Sequence, residues 1–411
     1  MSLTNISGPQ YISTVNNTIP IVFSGSSSGT YGYLYQLKIY DNTDFLNPDL
    51  IVSLIIYPDV SNTNYMIYDL KRVLRDYLSS DITDNWDTTT LISNPNSYKK
   101  YKYVITDWIG DVSGSTYDSG TLLSFRGVVQ YGDTWSYSDY LPINSGSTGK
   151  WLTNTTEMSY KSTDYATSNM FFGLFDEITT WNALYIKTYT TNGIQAYYMS
   201  GITYSNNIPN ILTCPIGPKN LNNAAALGLV YGSTGSTIID DTVSYYEVDV
   251  RNTSNLNISL SNKLTITNNK NCYRYDGIEF LWLGELGSYE TFTFRLKDIK
   301  TFDISREVYK KYINSLISNE WTYNIGDRGY DIYHITSVEK HVAYSDWIND
   351  NTIDEKLVEL YSSPQVFIIK DDLIYPIIIE SSNITQMNKS NDKTWRHNIV
   401  YTMAYDKNIN L

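Results

Sequence analysis

The chain has 411 residues, 42% of them apolar, and 43 acidic against 30 basic residues give a net charge of −13. That apolar content supports real cores and excludes a disordered chain, while a field of that sign repels phosphate and disfavours a general nucleic-acid binder. With 39 Tyr, 9 Trp and only 18% charged residues, and with abundant Thr, Ile, Asn and Ser, the expected fold class is mainly β with a few packing helices.

In chain order, IPIVFSG, YGYLYQLKIYD and LIVSLIIYP alternate or form short apolar blocks ended by turn residues, so each reads as a strand. YDLKRVLRDYLSSD, residues 68–81, follows as a helix over about 69–79. Its Leu70, Val73, Leu74, Tyr77 and Leu78 recur at i, i+3, i+4, i+7 and i+8, a complete core stripe, with Asp69 as a suitable N-cap. Lys71, Arg72 and Arg75 occupy the opposite face. In an acidic chain these three are expected to meet an acidic neighbouring subunit rather than a phosphate. KKYKYVITDWIGDV and TLLSFRGVVQYGDTW add strands, and NSGSTGKW, 144–151, reads as a linker closing a sandwich-like first domain, 1–145.

Residues 151–265 form an expected second β domain. There TTNG lies between two alternating runs, so Asn192-Gly193 is the expected hairpin turn, and CPIGPKNLNN reads as an ordered loop. The third part, 266–411, reads as α+β. FLWLGELGSYETFTFRL supplies strands around a Gly-rich turn, TFDISREVYKKYINSLIS a helix, DIYHITSVEKHVAYS a strand, and TIDEKLVELYSSP a helix opened by a Thr352/Glu355 capping box. VFIIKDDLIYPIIIES then reads as a hairpin with Pro376 on an edge or bulge, and RHNIVYTMAYD as a closing strand. YDLKRVLRDYL and FDISREVYKKYI look alike, which suggests a duplicated strand-then-helix unit.

Motifs for chemistry are sparse. His334 and His341, seven residues apart on one strand, face opposite ways and make poor joint ligands. NSGSTGKW has Asn144 and Trp151 where a phosphate loop needs Gly and Ser or Thr. GDVSGSTYDSG, 110–120, holds Asp111 and Asp118 but lacks the alternating ligands and distal Glu of a calcium loop, so a hairpin turn is expected. Cys214 and Cys272 fit neither a zinc spacing nor a CxxC pair and read as buried thiols. No cofactor and no catalytic residue is expected. No basic-then-apolar leader opens the chain and no apolar run reaches about 18 residues, so neither secretion nor a membrane is expected. Aromatic abundance leaves sheet packing, interfaces or sugar stacking open.

The quoted stretches also carry a resemblance. PIVFSG…YLYQLKIYD with the following Pro and aromatic-Asp-Leu helix, then FLWLGELGSYETFTF, SDWI…LVELYSSPQVFIIKDDLIYPIIIES and VYTMAYDKN, resemble in order the virion structural proteins of tailed phages of Bacteroidetes, the crAss-like phages especially. These motifs are structural signatures and bring no site residues with them. The resemblance implies a non-enzymatic subunit of a tail, tail ring, collar or baseplate, assembled in the host cytoplasm. Its implied partners are further copies in a ring and other tail, portal or neck proteins, with neither sequence-specific nucleic acid nor membrane. A receptor- or glycan-binding tail adhesin is the first alternative, a polysaccharide depolymerase the second.

Overall fold

The computed structural model describes residues 2–26, 30–44, 46–59, 65–78, 89, 92–93, 98–128, 150–153, 157–161, 170–176, 183–200, 210–232, 237–251, 264–269, 277–311, 315–322, 326, 329–346, 348, 351–370, 373–380 and 396–405. Among the described residues the fold is mainly β with three packing helices, as the composition leads one to expect. It divides into two compact units, Met1–Cys272 with Trp282–Thr291, and Tyr273–Leu281 with Phe292–Leu411.

In the first unit, Leu3–Ser7, Pro20–Gly25 and Tyr65–Asp69 make an antiparallel three-stranded sheet. A six-stranded sheet runs in the order Ile12–Thr14, Leu122–Phe125, Tyr98–Ile109, Tyr33–Asp41, Asp49–Ile56, with Val112–Asp118 also on Tyr98–Ile109. Strict alternation in YLYQLKIYD turns Tyr33, Tyr35, Leu37 and Ile39 into one core with Ile21, Phe23, Tyr101, Tyr103 and Ile105. Gly25 is needed there: a Cβ would stand 1.7 Å from the Tyr33 hydroxyl, which donates to buried Asp107 at 3.0 Å. A second six-stranded sheet, partly curled as a half-barrel, runs Glu157–Lys161, Leu264–Asn269, Val243–Arg251, Ala183–Thr190, Gly193–Ser200, Val230–Tyr231. Phe171–Asp176, Asn210–Pro215 and Ile92–Ser93 pair in a further sheet, which takes strands from both sides of residue 145.

Two local readings shift. The hairpin Ala183–Thr190/Gly193–Ser200 closes Thr190 on Gly193, so its loop is Thr191-Asn192 and Gly193, at φ +125°, starts the return strand. CPIGPKNLNN is not a loop: Pro218–Ala226 is a helix. Its Pro sits at the first turn, where the missing N–H costs nothing, and Leu221, Ala224 and Ala225 are its buried stripe. Asn220 Oδ1 fixes its entry by accepting from the Gly217 and Met170 N–H groups at 3.1 and 2.9 Å. Gly110-Asp111 turns a hairpin as expected, and residues 112–118 are a strand, not a ligand loop. The 144–149 stretch and Cys272 lie outside the described residues; Cys214 is a buried thiol without a disulfide.

The second unit contains Val366–Lys370, Leu373–Ile379, Asn398–Met403, Tyr330–Tyr344 and Lys297–Lys310, neighbours in that order in one sheet. Helix Asn351–Ser362 carries buried Leu357 and Leu360; it starts at Asn351, so Thr352 is a helical residue rather than its cap. Pro376 belongs to an inner strand. Its carbonyl accepts from Ala404 N–H, so its absent N–H falls on the same side, just where the Asn398–Met403 strand has ended opposite Ile377. The largest correction is TFDISREVYKKYINSLIS. Lys297–Lys310 is a strand, which removes both the expected helix and the suggested duplication.

Candidate assembly surface

Among the described residues Lys297–Lys310 and Tyr330–Tyr344 form the longest antiparallel strand pair, registered from Lys297↔Tyr344 to Lys310↔Tyr330, and the chain between them carries a further pair, Ser315–Ile317 with Glu320–Thr322. Only the root of the long pair is part of a wider sheet, because Tyr330–Tyr344 meets Asn398–Met403 at Lys340–Tyr344 alone. Residues 301–310 and 330–339 continue as a two-stranded arm of roughly 33 Å at about 3.3 Å per residue. Lys297–Lys310 is the last strand of the sheet, and no described strand pairs with the other side of 330–339. Both long edges are therefore open among the described residues.

Directly opposed residues share a face, so the register sorts the arm's side chains. Phe302, Ile304, Arg306, Val308 and Lys310 lie on one face with Glu339, Ser337, Ile335, Ile332 and Tyr330. A bulge at Glu307/Val308 keeps Ile332 on that face. The other face carries Thr301, Asp303, Ser305, Glu307 and Tyr309 with Lys340, Val338, Thr336, His334 and Asp331. The other face also exposes Tyr309, Tyr333 and Val338, but the first is the more apolar: its Phe302, Ile304, Val308, Tyr330, Ile332 and Ile335 are each 40–64% exposed. They present on the order of 600 Å² of apolar surface, the upper end of what a monomer shows as one patch.

Charges fix the root. His341 sits 2.9 Å from Glu339 Oε1 and 3.4 Å from Asp298 Oδ2 and stacks on Tyr401 at 5.0 Å. Burial, then Asp298 and Glu339, pushes the Tyr401 phenol up. Lys300 pairs with Glu339, and Lys340 bridges Glu380 at 3.2 Å and Asp303 at 3.4 Å, whose carboxylates raise its pKa. On the polar face Tyr333 is bonded to Glu307, which raises its phenol, and its ring meets Tyr309 edge-on. His334 is exposed and bonded to Thr336, on the opposite face from His341.

The basic helix is Lys71–Tyr77. Leu70, Leu74 and Leu78 are buried and Val73 packs beside them, as the stripe requires. Leu70, not Asp69, holds the cap position, but Asp69 Oδ1 still accepts from the Lys71 and Ile19 N–H groups at 3.0 and 2.8 Å. Lys71 is turned back to donate to the Asn16 carbonyl, whereas Arg72 and Arg75 are exposed. Tyr77 donates to Asp41, and burial together with that bond pushes its phenol up to about 12.

One constellation resembles a hydrolase triad in composition. His397 Nε2 lies 2.6 Å from buried Asp354, but Ser345 Oγ accepts from the His397 backbone N–H and donates to the Asp346 carbonyl. A nucleophile must face the imidazole; this serine clips two backbones together instead. Among the described residues no three His, Cys, Asp or Glu side chains group to hold a metal, and no helix is long and apolar enough to cross a membrane. No family model and no curated protein matches the chain.

Proposed function

We propose that the protein is a non-enzymatic structural subunit that works by assembling into multimers, as part of a phage tail, tail ring, collar or baseplate. The observation that carries the assembly reading is the arm: an exposed apolar stripe between two open strand edges is costly in a lone chain and useful in a multimer. The virion setting rests on the resemblance of the quoted stretches. An acidic subunit also suits a DNA channel, since a repulsive wall lets DNA slide. Exposed Arg72 and Arg75 supply a second contact surface for an acidic neighbour.

Mass photometry of the purified chain tests this reading. A defined multimer is the expected result. A protein that stays monomeric at every concentration and binds on a glycan array would transfer the assignment to an adhesin.

A further inference from the structure

We infer that the arms of roughly three or four copies of this chain close edge to edge into one barrel, with Phe302, Ile304, Val308, Ile332 and Ile335 turned inward. The inference rests on the multimeric reading and names its contact.

The arm has three unfinished features: the edge of 301–310, the edge of 330–339, and the apolar face between them. The edges match each other. Both are the length of the arm, and a rotation about an axis along it sets residues 301–310 of one copy beside 330–339 of the next. The new pair is antiparallel, like the pair inside each arm, and every copy presents the same face to the axis. Repetition then closes both edges at once, as only a barrel does.

Burial selects the copy number. An interior lined by about eight strands is just filled by side chains, so roughly three or four arms bury the stripe, whereas a wide ring leaves a lumen. Each arm meets two neighbours, so its stripe gives about 300 Å² to either seam and a seam joins about 600 Å² of apolar surface, to which the pairing of the strand edges adds backbone hydrogen bonds. Two arms stacked face to face would cover the stripe but leave all four edges open. Outward, the barrel would show Asp303, Ser305, Glu307, Thr336 and Lys340, with Lys340 paired to Asp303, together with Tyr309, Tyr333 and Val338.

The inward face also bears charges. Glu339 lies at the root end of the stripe, paired with Lys300, and Lys310 at its far end, so both fall at the two ends of the barrel. Arg306 falls midway, beside Ile335, where an inward guanidinium opposes assembly. Removing that charge should therefore tighten the multimer.

The test measures native mass across a concentration series for the full chain, for an Ile304→Asp/Val308→Asp variant and for Arg306→Leu. Wild type is expected to form trimers or tetramers. The double variant should be monomeric, with the far-UV spectrum and melting curve that wild type shows at dilutions where it too is monomeric, and Arg306→Leu should assemble at a concentration lower by about tenfold, a shift of about 1.4 kcal/mol. Chains carrying Ser305→Cys, mixed in turn with chains carrying His334→Cys, Thr336→Cys or Val338→Cys, should form an intermolecular disulfide in one of the three mixtures, because the two open edges adjoin with a stagger of about two residues or none. A two-copy species, a multimer retained by the double variant, or a multimer without that crosslink overturns the barrel and leaves the assembly reading standing. A wild type that is monomeric throughout overturns both.

Discussion

Helix Lys71–Tyr77 and the longer arm each carry an apolar stripe on a β-rich unit, and they end differently. The helix places Leu70, Leu74 and Leu78 in a core with Ile21, Phe23 and Leu37, and its basic face is left to solvent or a neighbour. The arm has a comparable apolar stripe, but among the described residues nothing covers it. The same hydrophobic pattern is completed inside one chain in the first case and asks for another chain in the second. An isolated two-stranded ribbon is only marginally stable in water, so the arm's order depends on its root and on what it meets.

This contrast is sharpest in paired substitutions. Leu74→Ala should cost about 2–5 kcal/mol by leaving a cavity under the helix, while Ile304→Ala should change the monomer's stability by no more than about 0.5 kcal/mol. Urea unfolding of both variants, at dilutions where only monomer exists, makes the comparison. Equal losses would mean that the arm's stripe is buried within its own chain.

Alkali gives a smaller, graded version. Burial raises the phenols of Tyr101 and Tyr103 in the first unit's core, and Tyr77 is pushed up to about 12 from an unfolded value near 10. A raised pKa means that the native state holds its protons longer than the unfolded one. The stability these groups contribute is complete below pH about 10 and is lost as pH rises above it, for Tyr77 between about 10 and 12. Melting temperature followed against pH should therefore fall steeply above pH about 10. A flat profile to pH about 12 would contradict the burial of these phenols.

Much of the fold could be read from residue spacing. Strict alternation in YLYQLKIYD, the i, i+3, i+4 stripe of the first helix and the Leu357/Leu360 pair of the last all report local geometry that burial enforces. Two elements were hidden. Gly217 and Pro218 punctuate a sequence like a loop, yet Pro at a first helical turn is also a start signal, and the Leu221, Ala224 and Ala225 stripe is short and built of small residues. KDIKTFDISREVYK mixes good helix formers with a period-two set, Phe302, Ile304 and Val308, that Arg306 interrupts. Its pairing with YDIYHITSVEKHVAY, fourteen register partners long, decides for the strand over local propensity. The candidate surface was less legible than the fold. Which face of a strand is covered depends on the layers around it, and no spacing in the sequence distinguishes a buried alternation from an exposed one.

Amide hydrogen exchange along the arm tests the central claim most directly, because the claim concerns the open edges themselves. At concentrations that support the multimer, the amides of residues 301–310 and 330–339 on both strands should exchange slowly. On dilution to monomer the outward-pointing ones should become fast, while those of Tyr101–Ile105 stay protected throughout. A multimer whose arm amides exchange rapidly at every concentration would contradict it.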